Sequence, residues 1–146
     1  MGLQIFSQLA LTCKDPIATE KFYSKYFGFK RARVAVLPDG DQIVFLKMMD
    51  CAFYLELFKA KEESPIPPAA NDGYNFPSVR QIGFKVDSVD AKLAEMGEDA
   101  KITLGPFNFE DYIPGWRTVW LADPDGNIVE ISQGFADEDN PPPLEE

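Results

Sequence analysis

The chain of 146 residues has the length of one domain, and its 45% hydrophobic content supplies a core without a disulfide or a structural metal. Its net charge of −10 excludes the usual basic surface for polyanions, so neither nucleic acid nor a membrane is an expected partner. No apolar run reaches the roughly 20 residues of a membrane span and the first residues lack a signal-peptide pattern. A cytoplasmic protein is expected, with Cys13 and Cys51 as reduced thiols buried in strand patterns.

In chain order, residues 8–12 alternate polar and apolar as a strand, and residues 17–26 carry apolar side chains at helical spacing. Asp15 and Pro16 suit the helix start and Gly28 its end. Three β-rich runs follow at 33–37, 42–48 and 52–58, the first two joined by the turn Pro38-Asp39-Gly40-Asp41. Residues 60–78 are rich in proline and polar residues and form a long connector.

The pattern then restarts. Residues 81–86 read as a strand, 88–96 as a short helix closed by Gly97, and 101–107, 117–122 and 127–132 as strands, the last two joined by Asp123-Pro124-Asp125-Gly126. The acidic, proline-rich end is an extended arm. The prediction is an α+β domain of two tandem βαβββ modules: module one at 5–59, connector 60–78, module two at 79–134 and a tail at 135–146. Its mixed sheets wrap a cleft, with helices on the outer face.

The duplication can be tested by offset. Gln81 follows Gln8 by 73 residues, and Glu130 follows Glu56 by 74. Strand alternation puts Leu9, Leu11 and Cys13 toward the helix and Gln8 away from it, and the same reasoning turns Glu56, Gln81 and Glu130 away. Tyr54, Phe58, Ile128 and Trp120 share that second face, which suits a half-wrapped cleft better than open solvent.

The segments Gln8-Leu9-Ala10-Leu11-Thr12-Cys13-Lys14-Asp15-Pro16, Lys21-Phe22-Tyr23-Ser24-Lys25-Tyr26-Phe27-Gly28-Phe29 and Asp123-Pro124-Asp125-Gly126-Asn127-Ile128-Val129-Glu130 resemble the vicinal oxygen chelate superfamily of glyoxalases, bleomycin-resistance proteins and extradiol dioxygenases. The resemblance spans about residues 5 to 134. It implies that Gln8, Glu56, Gln81 and Glu130 occupy the metal-ligand positions of glyoxalase I, where Gln81 stands in place of the usual histidine. The chain has no histidine, so a two-His, one-carboxylate iron site and extradiol dioxygenase activity are excluded. Two amides and two carboxylates are hard donors, suited to Mg²⁺, Mn²⁺ or Ca²⁺ rather than Zn²⁺. Equally, the four groups can hydrogen-bond to one another with no cofactor.

Two functions follow from the resemblance. One is a metal-assisted lyase or isomerase acting on a small carbonyl compound, with Glu130 or Glu56 as base and Arg117 orienting an anionic group or pairing with a nearby acid. The other is a protein that sequesters a small-molecule ligand between aromatic side chains, with Tyr54, Phe58, Trp116 and Trp120 lining the groove and 107–116 as a possible lid. A structural module without small-molecule chemistry stands beside them. A homodimer is expected from the resemblance.

Overall fold

The computed structural model describes residues 2–145. Module one contains β1 (Gln8–Cys13), α1 (Pro16–Phe27), β2 (Lys30–Val36), β3 (Gln42–Lys47) and β4 (Tyr54–Lys59). Its sheet has the order β1-β4-β3-β2, with β1 parallel to β4 and the other neighbours antiparallel. Module two repeats this with β5 (Ile82–Lys85), α2 (Val89–Met96), β6 (Lys101–Asn108), β7 (Arg117–Ala122) and β8 (Ile128–Gln133) in the order β5-β8-β7-β6. The parallel β5–β8 pair again requires a crossover, which α2 supplies.

Local chemistry sets the helix ends. The Asp15 carboxylate accepts from the amides of Ile17 and Ala18, Pro16 occupies the first turn, and Gly28 closes α1 at φ 69°. The Ser88 hydroxyl caps α2 by accepting from the Ala91 amide at 3.1 Å.

Most strand ends fall within one residue of expectation, β5 opening at Ile82 so that Gln81 immediately precedes it, and two differ by more because strand pairing decides them. The strand expected to begin at 33 begins at Lys30, since Lys30 and Arg31 find partners in Lys47 and Leu46. The strand expected from 52 opens at Tyr54, directly opposite Gln8, where β1 opens. Cys51 therefore lies in a loop and is half-buried, which corrects its expected place in a strand, whereas Cys13 is buried. Burial pushes the Cys13 thiol up to about 12, so it is an inert core group.

The helix-facing residues of both sheets merge into one apolar cluster that includes Leu55, Leu57, Phe84, Val119, Val129 and Ile131. Within it the rings of Phe27 and Phe84 stack with centroids 4.0 Å apart, joining α1 to β5. Polar bonds reinforce the junction. Tyr23 donates its hydroxyl to Asp123 at 2.8 Å, Thr19 donates to Asp125 at 2.8 Å, and the Lys14 amide donates to Asp125 at 2.7 Å. The Asp-Pro-Asp-Gly turn of module two thus grips the start of α1. The connector is tied down by the Arg80–Asp72 ion pair and by the Thr103 hydroxyl bonded to the Asn71 carbonyl.

Candidate functional site

β4 places Glu56 between Ala10 of β1 and Phe45 of β3, and β8 places Glu130 between Gly83 of β5 and Trp120 of β7. Each glutamate therefore has a small neighbour on one side and an aromatic one on the other. Gln8 lies two residues before Ala10, as Gln81 lies two before Gly83, so the duplication extends to the surroundings of the four residues.

In module two these side chains form a closed network. The Trp120 indole N–H donates to Gln81 Oε1 at 2.8 Å, and the Gln81 amide N–H donates to Glu130 Oε2. Glu130 Oε1 accepts from Thr118 at 2.8 Å and from Ser132 at 2.7 Å. An indole can only donate and a carboxylate can only accept, so the orientation of the Gln81 amide is fixed from both ends. Both Glu130 oxygens are committed to donors.

Module one lacks the donors for such a network. Where module two has Trp120, Thr118 and Ser132, module one has Phe45, Ile43 and Phe58 at the corresponding strand positions. Gln8 is exposed and accepts only from the neighbouring Ser7 hydroxyl among the described residues. Glu56 is 6% exposed, yet no described residue donates a hydrogen bond to it or pairs with it ionically. Nor does a hydrogen bond between described residues connect the Gln8–Glu56 pair to the Gln81–Glu130 pair.

This arrangement does not fit a divalent cation. A hard cation requires about six oxygen ligands, but the carbonyl oxygen of Gln81 is turned to the indole and N–H and O–H groups point at Glu130. Among the described residues no three His, Cys, Asp or Glu side chains cluster as a potential metal site.

Of the other candidate residues, Trp120 belongs to the network, while Tyr54 and Phe58 flank Glu56 on the same face of β4 and are half-buried. Arg117 is directed elsewhere. It shares strand parity with the core residues Val119 and Leu121, and its guanidinium bonds Asp90 of α2 and the Asn108 side chain. The structure therefore places it on the helix side, in the structural pairing with an acid rather than beside the polar network. Its alternation with Val119 and Leu121 carried that signal.

Trp116 borders a cavity of about 420 Å³ together with Ile113, Gly83, Lys85, Glu130 and Phe135. The segment over this cavity is an ordered turn. The Phe109 amide bonds the Trp116 carbonyl at 2.8 Å, the Trp116 amide bonds the Ile113 carbonyl at 3.0 Å, and the Gly115 amide bonds the Glu110 carboxylate at 2.7 Å. The rings of Phe109 and Trp116 pack at 5.0 Å. The cavity thus has an aromatic roof and a carboxylate at its wall.

Residues 5–131 match the model of the Glyoxalase/Bleomycin resistance protein/Dioxygenase superfamily. The chain belongs to this superfamily. Among solved structures, it is similar to a glyoxalase/dioxygenase from Nostoc punctiforme at 25% identity and TM-score 0.64, covering 86% of this chain and 88% of that one. A glyoxalase family protein from Enterococcus faecalis shares the fold at 24% identity and TM-score 0.66, with 90% and 99% coverage. An antibiotic binding protein from Streptomyces sp. CB03234 does so at 22% identity and TM-score 0.63, with 91% and 98% coverage. No curated protein matches the chain.

Within the superfamily fold, this chain devotes one glutamate to a hydrogen-bonded framework and leaves the other without donors. Thr118, Ser132 and Phe45, which create the difference, are not evident as site residues from motifs. They were recoverable from alternation, since each lies on the same strand face as Trp120, Glu130 or Glu56.

Proposed function

We propose that this glyoxalase-superfamily protein binds a small molecule without transforming it, in the manner of the bleomycin-resistance proteins. The observation that carries this reading is the Gln81 amide held between Trp120 and Glu130, which occupies the oxygen atoms a catalytic metal would need. The cavity lined by Trp116, Ile113 and Phe135 suits the planar body of a small molecule. The fold is compatible with this use, since the antibiotic binding protein from Streptomyces sp. CB03234 shares it.

The alternative, a metal-assisted lyase or isomerase with Glu56 or Glu130 as base, would require the Gln81 amide to give up both its bonds and turn over. Without histidine, iron-dependent extradiol cleavage has no site in this chain. Adding Mg²⁺ or Mn²⁺ to millimolar concentration should leave the melting temperature unchanged, whereas a cation held at 100 times its Kd would add about 2.7 kcal/mol of stability. A dose-dependent rise in Tm, or turnover of the methylglyoxal–glutathione adduct with either metal, would replace this reading by the catalytic one.

The protein is proposed to act in the cytoplasm as a homodimer. No helix among the described residues is long and apolar enough to cross a membrane. Leu3, Phe6, Met49 and Val79 expose apolar surface that a second copy would cover, and light scattering should give twice the chain mass of 16.4 kDa. A mass of one chain at micromolar concentration would remove the dimer from the proposal.

A further inference from the structure

We infer that Glu56, not Glu130, is the acid that meets the ligand, and that the ligand carries a positive charge, an ammonium or amidinium group on a planar body. The inference rests on the reading of this chain as a small-molecule-binding protein and names the charge its ligand must bear. It comes from the broken symmetry of the duplicated site. Glu130 spends both oxygens on Gln81, Thr118 and Ser132, so its charge is already stabilised by donors. Glu56 has the same strand position and a small neighbour of its own, Ala10, but among the described residues its Gln8 is exposed and bonds only Ser7, and the counterparts of Thr118 and Ser132 are the hydrocarbon side chains of Ile43 and Phe58.

Glu56 is 6% exposed and no described side chain or amide donates to its carboxylate, which leaves it free for a donor that a ligand brings. The Glu56 oxygens are not among the described buried side-chain atoms that lack both solvent and partner, so they keep contact with solvent and can be reached. Aromatic rings stand beside them. Tyr54 and Phe58 flank Glu56 along β4, Phe45 lies across from it, and the Phe45 and Tyr54 rings meet edge to face at 5.8 Å.

That wall already accepts an ammonium. Lys47 Nζ lies 4.4 Å from the centroid of the Tyr54 ring and makes no ion pair with Glu56. A carboxylate flanked by aromatic faces stabilises an organic cation by charge and by the ring quadrupoles together, and it disfavours an anion of the same shape. The net charge of −10 attracts such a ligand from a distance.

Two planar tricyclic dyes of opposite charge test the inference, with binding read by the anisotropy of each dye's own fluorescence. Proflavine, a monocation at neutral pH, should bind at least about tenfold tighter than anthracene-9-carboxylate. Glu56→Gln should weaken proflavine binding by about 10- to 100-fold, the range for a lost charge-assisted bond, and leave anthracene-9-carboxylate no weaker. Glu56→Asp, which keeps the charge, should retain most of the preference.

Displacement of proflavine from the unaltered protein by tetramethylammonium, but not by acetate, reads the same preference without any variant. Equal affinity for the two dyes, or unchanged proflavine binding in Glu56→Gln, overturns the inference and leaves the binding function standing. Failure of both dyes to bind overturns the planar-ligand reading and the inference with it.

Discussion

Replacing Asp123 by alanine should lower stability by about 3–5 kcal/mol and the melting temperature by roughly 10 °C, because it removes the acceptor at the junction of the two modules. Asp123 is 5% exposed and accepts from the Tyr23 hydroxyl, the Asp125 and Asn127 amides and the Asn127 side chain at 2.8 to 3.0 Å. Alanine would leave several of these donors buried and unpaired, at about 1–3 kcal/mol for each. It would also loosen the turn that presents Asp125 to Lys14 and Thr19, so the loss should reach from β7 and β8 to α1. Urea unfolding measures it, and a loss below about 1 kcal/mol would mean that the turn is not what grips α1.

The same residue gives a pH signature. Burial raises the Asp123 carboxyl above its ordinary value of 3.8, and the bonds from Asn127 and Tyr23 oppose that rise without cancelling it. The native state therefore holds this proton more tightly than the unfolded chain does. The stability contributed by protonation is full below 3.8 and is lost as pH rises through the higher folded value. Asp123→Asn, which cannot titrate, should remove that component from the stability profile between these two values. An identical profile in the variant would assign the pH dependence to other groups.

Gly134→Ala should be nearly as damaging, at about 2–4 kcal/mol, and should also dislodge the aromatic roof over the cavity. Gly134 follows β8 with φ at 87°, and a methyl group there would stand 1.9 Å from the Gly115 carbonyl oxygen and 2.5 Å from its carbon. Both atoms are backbone, so no side-chain rotation relieves the clash. The turn carrying Ile113 and Trp116 must move away, which exposes the Trp116 indole. A red shift of tryptophan emission together with the fall in Tm is the expected result. Unchanged emission would mean that the turn is not held by its contact with Gly134.

How far the sequence reaches differs between these features. Duplication, the strand and helix order and the face shared by Gln8, Glu56, Gln81 and Glu130 could all be read from local signals. Alternation, an Asp-Pro helix start and a glycine after the last turn act over a few residues, so their physics is present in any short stretch. Strand ends were less accessible. Where β4 opens depends on where β1 opens opposite it, a fact about two segments nearly fifty residues apart.

The tertiary structure alone decided what each polar residue does. Glu56 and Glu130 are the same residue type at the same place in a repeat, and the chain by itself made them equivalent candidates. Their difference comes from side chains on neighbouring strands: Trp120, Thr118 and Ser132 supply donors in one module, while Phe45, Ile43 and Phe58 supply none in the other. A hydrogen bond needs a partner within about 3 Å at a suitable angle, and only the assembled sheet fixes that distance. The sequence by itself determined the fold and a set of four candidates. Folding separated them into a framework pair and a carboxylate left without a donor.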